Sequence, residues 1–148
     1  VFIRHPDGIG AGQQSDMLIQ HTDLAAQVLE FAGQRVPNNL HGGCFFESAV
    51  TGGRAIRDHV TVGWGPNVTV IDERWWLNCK VDGSGVLLRD LTAVEPFETN
   101  VADENHDVAK RLFQTAMDDA AGDLPEFLME MARNQEDAPG CSELALAE

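Results

Sequence analysis

The sequence predicts an α+β fold: an antiparallel sheet of about four strands packed with a C-terminal helix. Three observations carry this. Between His59 and Leu91 short apolar runs alternate with polar residues and are separated by Gly65-Pro-Asn67, Asp72-Glu73 and Asp82-Gly-Ser-Gly85. The last is a strong hairpin signal, and successive short connections favour antiparallel pairing. Beyond them Val108, Leu112, Ala116 and Ala120 recur at helical spacing, and ahead of them Leu24, Val28, Phe31 and Ala32 do the same.

Taken in order, Val1 to His5 reads as a short buried strand, broken by the turn at Pro6-Asp-Gly8. Gly8, Gly10 and Gly12 belong to a plain loop. This Gly-x-Gly-x-Gly lacks the Lys-Ser/Thr of a phosphate cradle and does not open a helix. Met17 to Ile19 is a second short strand. A helix follows, with Thr22 as its N-cap, Asp23 in its first turn and Gly33 as a left-handed C-terminal cap. Its stripe of Leu24, Val28, Phe31 and Ala32, widened by Ala25 and Leu29, is expected to face the core. From Gln34 to Arg57 the chain is irregular, with Phe45 and Phe46 as its anchors. After the strands, Asp103 or Asn105 caps a helix running to about Ala121, and Gly122 ends it. Asp123 caps a last helix that has Pro125 in its first turn and carries Phe127, Leu128 and Met131. Beyond Arg133 few large apolar groups remain, and the end reads as a surface tail or extended arm.

Composition narrows the function. A chain of 148 residues with 43% hydrophobic content can build one real core. No apolar run approaches the ~18 residues of a membrane span. The opening residues carry no signal peptide and no initiator Met, which suggests a cut end, so the compartment is unknown. The net charge is −14, and half of the acids follow Ala102, where only Lys110, Arg111 and Arg133 oppose them. Such a surface repels phosphate backbones and anionic lipids, which excludes nucleic acid and membrane surfaces as partners. It reads as a solvated helical face.

Candidate chemistry is sparse. Cys44, Cys79 and Cys141 are odd in number and widely spaced, which suits free thiols and neither a disulfide framework nor a zinc site. Ser15, Ser48, Ser84 and Ser142 lack a nucleophile elbow. Asp118-Asp119 lies in a helix, where adjacent side chains diverge, so joint chelation of a cation is awkward. His5, His21, His41, His59 and His106 are scattered at spacings unlike a metal pair. Trp75 and Trp76 face opposite sides of a strand, so one is expected in the core and one at an interface. The pair and Trp64 also allow weak carbohydrate stacking. No catalytic, cofactor-binding or metal-binding residue is assigned.

Five blocks, taken together, resemble the closing part of sulfatases, within the alkaline-phosphatase-like hydrolases. Phe2-Ile-Arg-His-Pro6 is similar to a strand just after that family's active-site region. Gln20-His-Thr-Asp-Leu-Ala-Ala-Gln-Val-Leu-Glu-Phe-Ala-Gly33 resembles "xxHxDLxPTLLDLAG", with Ala26-Gln27 for Pro-Thr. Asn39-Leu-His-Gly42 resembles the family's following loop. Arg74-Trp-Trp-Leu77 resembles "xRWKLI". Asp90-Leu to Asn100 resembles "LYDLxxDPxExxNL", with Arg89 for Tyr and Glu95 for Asp. Order and spacing hold over residues 1–102.

The resemblance implies a C-terminal portion that lacks the catalytic N-terminal domain. Residues 1–57 would be a strand–helix–loop segment ending the large α/β domain. Residues 58–134 would be the C-terminal subdomain, and 135–148 a tail. The formylglycine and calcium of a full-length sulfatase are expected only elsewhere, since neither Cys44 nor Cys141 starts a Cys-x-Pro-Ser-Arg signature. The implied partner is the N-terminal catalytic domain, or a second copy. The alternatives are a free-standing interaction or oligomerisation module derived from such an enzyme, or a weak carbohydrate-binding module.

Overall fold

A computed structural model describes residues 1–122 and 124–147. They form two compact units, Val1–Asp58 and His59–Glu148.

The second unit contains the expected sheet. Four strands, β1 (His59–Trp64), β2 (Asn67–Asp72), β3 (Trp75–Lys80) and β4 (Leu87–Asp90), lie side by side in chain order. Every pairing is antiparallel, with Thr61 opposite Val70, Val70 opposite Leu77 and Leu77 opposite Leu88. Period-two alternation therefore puts Val68, Val70, Trp75, Leu77, Cys79 and Leu88 on one face. Helix α3 (His106–Asp119) covers that face with Ala109, Leu112, Phe113 and Ala116, and these residues form one buried cluster. A fully buried Leu or Val contributes ~1.5–3 kcal/mol, so this cluster is the main source of stability in the unit.

The caps of α3 follow ordinary physics with one exception. Asn105 is the N-cap, but its amide reaches back to the Val101 carbonyl rather than forward into the helix. At the other end the Gly122 N–H bonds to the Met117 carbonyl and the Ala121 N–H to that of Asp118. This pattern needs a left-handed residue, and Ala121 supplies it at φ 58° although it carries a Cβ. A further helix, here α4 (Glu126–Asn134), has Pro125 as its N-cap and leaves Phe127 and Met131 exposed. The expected cap at Asp123 lies outside the described residues.

Residues 135–147 fold back as an arm along the β3–β4 hairpin. Ser142 bridges to Val86, and Leu146 joins the buried cluster.

The first unit departs from expectation. Helix α1 (His21–Phe31) forms, closed by Gly33 at φ 67°, whose N–H meets the Glu30 carbonyl while that of Gln34 meets Leu29. The N-cap, however, is Gln20 and not Thr22; Asp23 accepts the Gln20 backbone N–H in a capping box. The strands expected at Val1–His5 and Met17–Ile19 do not form. A strand exists only where a neighbour takes its backbone N–H and C=O groups, and among the described residues neither segment has such a partner. Val1 and Phe2 are exposed instead of buried. A six-residue helix, α2 (Phe46–Thr51), occupies part of the stretch expected to be irregular, and left-handed Gly52 ends it. No helix among the described residues is long and apolar enough to cross a membrane.

Candidate functional site

The most constrained group of polar side chains lies in the first unit, at the start of α1. Asp23 is fully buried and Gln27, one turn on, nearly so. The Asp23 carboxylate accepts the Gly43 N–H at 2.8 Å and the Gln20 N–H at 2.6 Å, and it pairs with the Arg57 guanidinium. The Gln27 side-chain oxygen accepts both the Phe45 and Phe46 N–H groups at 2.8 Å. Two buried side chains thus hold the loop 43–46 by its backbone. Gly42 makes the close approach possible, because a Cβ there would overlap the Thr22 carbonyl.

This seam is a joint and not a reaction centre. The Asp23 carboxylate is taken up by three donors, which is how a buried charge is made tolerable. His5 stacks on Phe46 at 5.5 Å and meets Phe31 edge-on, so it is a packing residue. A hollow of about 460 Å³ nearby is walled by Phe2, Ile3, Met17, Phe45 and Val50, with Asp16 on its rim. Gln13, Gln14 and Ser15 supply its polar lining, and no Lys, Arg or His side chain among the described residues lines it.

The thiols are equally unsuited to attack. Burial pushes Cys79 up to about 12, with Asp82 adding to the effect. Burial and then Glu30 raise Cys44, and burial and then Asp137 raise Cys141. The thiolate is the nucleophile, so each of these shifts disfavours the reactive form. All three are free cysteines.

In the second unit Asp118 and Asp119 diverge. Asp119 meets His59 at 3.1 Å and accepts the Thr61 hydroxyl, while Asp118 accepts the Gln114 amide. Among the described residues no three His, Cys, Asp or Glu side chains are grouped to hold a metal ion. Neither Cys44 nor Cys141 opens the Cys-x-Pro-Ser-Arg signature that a formylglycine needs.

The tryptophans separate as strand geometry requires: Trp75 is buried and Trp76 half-buried, edge-on to Phe97 at 6.0 Å. Trp64 stands 83% exposed on β1.

The blocks singled out in the sequence also prove to be joints. Arg74 lies over the Trp75 ring at 4.7 Å and forks onto Asp90 at 2.8 and 3.2 Å. The other Asp90 oxygen accepts the Thr92 N–H and hydroxyl, turning the chain out of β4. Bonding from Arg74 and then Thr92 holds the Asp90 carboxyl well below the usual range. Asn100 closes the outer edge of β4: its oxygen accepts the Leu88 N–H, and its amide donates to the Val86 and Gly140 carbonyls, each at 2.9 Å. Sequence reasoning read Asp72-Glu73 as a turn without singling out Asp72 as its anchor. Asp72 accepts the Arg74 and Trp75 N–H groups and ties them to Arg111 on α3. The signal was present, since an Asp before a tight turn commonly bonds the backbone two residues on.

No protein-family model matches the chain, and no curated protein matches it.

Proposed function

We propose that this chain is a non-catalytic, C-terminal portion of a sulfatase-type sulfuric ester hydrolase, inactive alone, which completes a larger fold and walls the substrate cleft. The observation that carries this reading is where the resembling blocks fall. Asp23 and Gly42, Arg74, Asp90 and Asn100 each pin one element to another, and none presents a reactive group. Conformational joints are what a family resemblance without its active site would retain. Calcium and formylglycine chemistry belong, in this reading, to the N-terminal domain of such an enzyme.

Two experiments bear on it. The isolated chain, incubated with an aryl sulfate and calcium, is expected to give no turnover; activity that co-purifies with the chain through successive columns would sink the proposal. The reading frame ahead of Val1 is the more direct test. A Cys-x-Pro-Ser-Arg signature there supports the reading, and a start codon immediately before Val1 overturns it.

A second reading has its own observation. Val1, Phe2, Ile3, Val28 and Phe31 are all exposed in the first unit. Exposed apolar side chains in this number favour association. A self-associating module derived from such an enzyme therefore predicts sedimentation as a dimer or larger species, and a clean monomer at high concentration removes it.

A further inference from the structure

We propose that residues 135–147 are a releasable strap, latched by Lys80, that occupies a strand-receiving slot at the β3–β4 hairpin.

The segment contains little that would hold it by hydrophobicity: Leu144 and Leu146 are its large aliphatic side chains. Its grip comes instead from placed polar contacts. The Ser142 N–H bonds to the Val86 carbonyl at 2.9 Å and the Leu146 N–H to that of Gly83 at 3.1 Å. The Ser142 hydroxyl donates to Asp103, which also anchors the strap against the start of the α3 region. Leu146 is the apolar peg, 3% exposed.

The hairpin is shaped to receive it. Gly83 and Gly85 both hold positive φ, and a Cβ on Gly83 would stand 2.7 Å from the Ala147 nitrogen. One on Gly85 would stand 2.9 Å from the Asp137 carboxylate. Side chains at either position would push the strap away.

Lys80 is the latch. It closes β3 and is 7% exposed, an unusual burial for a lysine. Its ammonium meets the Gln135 carbonyl and the Asp137 carboxylate, each at 2.5 Å, and both come from the strap. The nearby Asp82 carboxylate is instead turned onto the Ser84 N–H and hydroxyl. A buried cation paired with Gln135 and Asp137 of one short segment ties its own desolvation to that segment's position. When the strap lifts, Lys80 reaches water, so release does not strand a buried charge. The core cluster behind β3 gives up Leu146 at its rim and retains α3 as its main cover. Opening therefore involves the strap and leaves the sheet folded, as sub-global opening does elsewhere.

Hydrogen exchange on the intact chain tests this. Peptides spanning 136–147 are expected to exchange at least ~10-fold faster than those spanning 67–80 under native conditions. Lys80→Met keeps the aliphatic stem and removes the charge, and should speed exchange in 136–147 by a further ~10-fold without altering 67–80. If that variant does not fold, Asp137→Asn reads the same contact from the strap side. Protection of 136–147 equal to that of the sheet overturns the proposal, and so does exchange there that neither substitution changes.

Discussion

The most deeply buried large side chains of the second unit include Val70, Leu77, Leu88 and Leu112; in the first unit the buried residues are Asp23, Ala26, Gln27 and Phe45. One unit is built around an apolar cluster and the other around a polar seam. The apolar stripe of α1 lies on the outside, with Val28 65% exposed and Phe31 51%. The difference shows that amphipathic spacing identifies a helix without saying which face turns inward. Where two buried side chains can satisfy five backbone or guanidinium donors, a polar face is acceptable inside. The helix then leaves its apolar face for something else. An apolar cluster is non-directional and tolerant, whereas a polar seam depends on each partner being present.

The largest effect should come from breaking the seam. Asp23→Ala leaves Arg57 and the Gly43 N–H without their acceptor, and removal of one partner of a buried ion pair costs ~3–5 kcal/mol. Limited proteolysis should then cut within residues 1–58 and spare 59–147. Cleavage spread evenly over both units would break the comparison. Next, Leu77→Ala opens a cavity in the apolar cluster and should lower stability by ~2–5 kcal/mol, read as the urea midpoint of the sheet signal. The pattern of protection should reverse, with the second unit now the weaker.

A smaller gain is expected at the end of α3. Ala121→Gly relieves a left-handed Cβ whose cost is ~1–2 kcal/mol, less the entropy Gly loses on folding, so a rise of ~0.5–1 kcal/mol should appear in the thermal midpoint. The smallest effect is expected from Val28→Ser. An exposed position away from caps and cores should change stability within ~0.5 kcal/mol. Any self-association seen by sedimentation should nevertheless weaken; if it does not, the outward stripe is not the associating surface.

Acid sharpens the contrast further. Burial pushes the Asp72 carboxyl up, but the Arg74 and Trp75 N–H groups and then Arg111 outweigh it, so its folded value lies below the ordinary one. A depressed carboxylate contributes stability that is present above the unfolded value of ~3.9 and is lost as pH falls through the folded value. Urea midpoints of the second unit should therefore decline below about pH 4, and Asp72→Asn should flatten that decline.

Much of the second unit was legible in the sequence. Alternation at Val68, Val70, Leu77 and Cys79, with turn residues at Gly65-Pro-Asn67 and Asp82-Gly-Ser-Gly85, is enough to give four antiparallel strands. In the first unit the Gly33 cap was legible, since only its φ was needed. The inward face of α1 was not, because it depends on the Phe45 and Phe46 N–H groups arriving from a loop that spacing cannot place. The extended segments at Val1–His5 and Met17–Ile19 have the composition of strands, but pairing is a tertiary property. Of the candidate chemistry, the free state of the thiols was legible from their number and spacing. Their protonated state was not, because it follows from burial and from Glu30, Asp82 and Asp137 nearby.

Asn100 has a consequence for how this sheet can grow. Its side-chain amide takes the place of a peptide group along β4, so that border ends in a bonded plug and not in open donors and acceptors. An incoming strand would meet groups already taken at Val86 and Leu88, so the β4 border resists edge-to-edge pairing there.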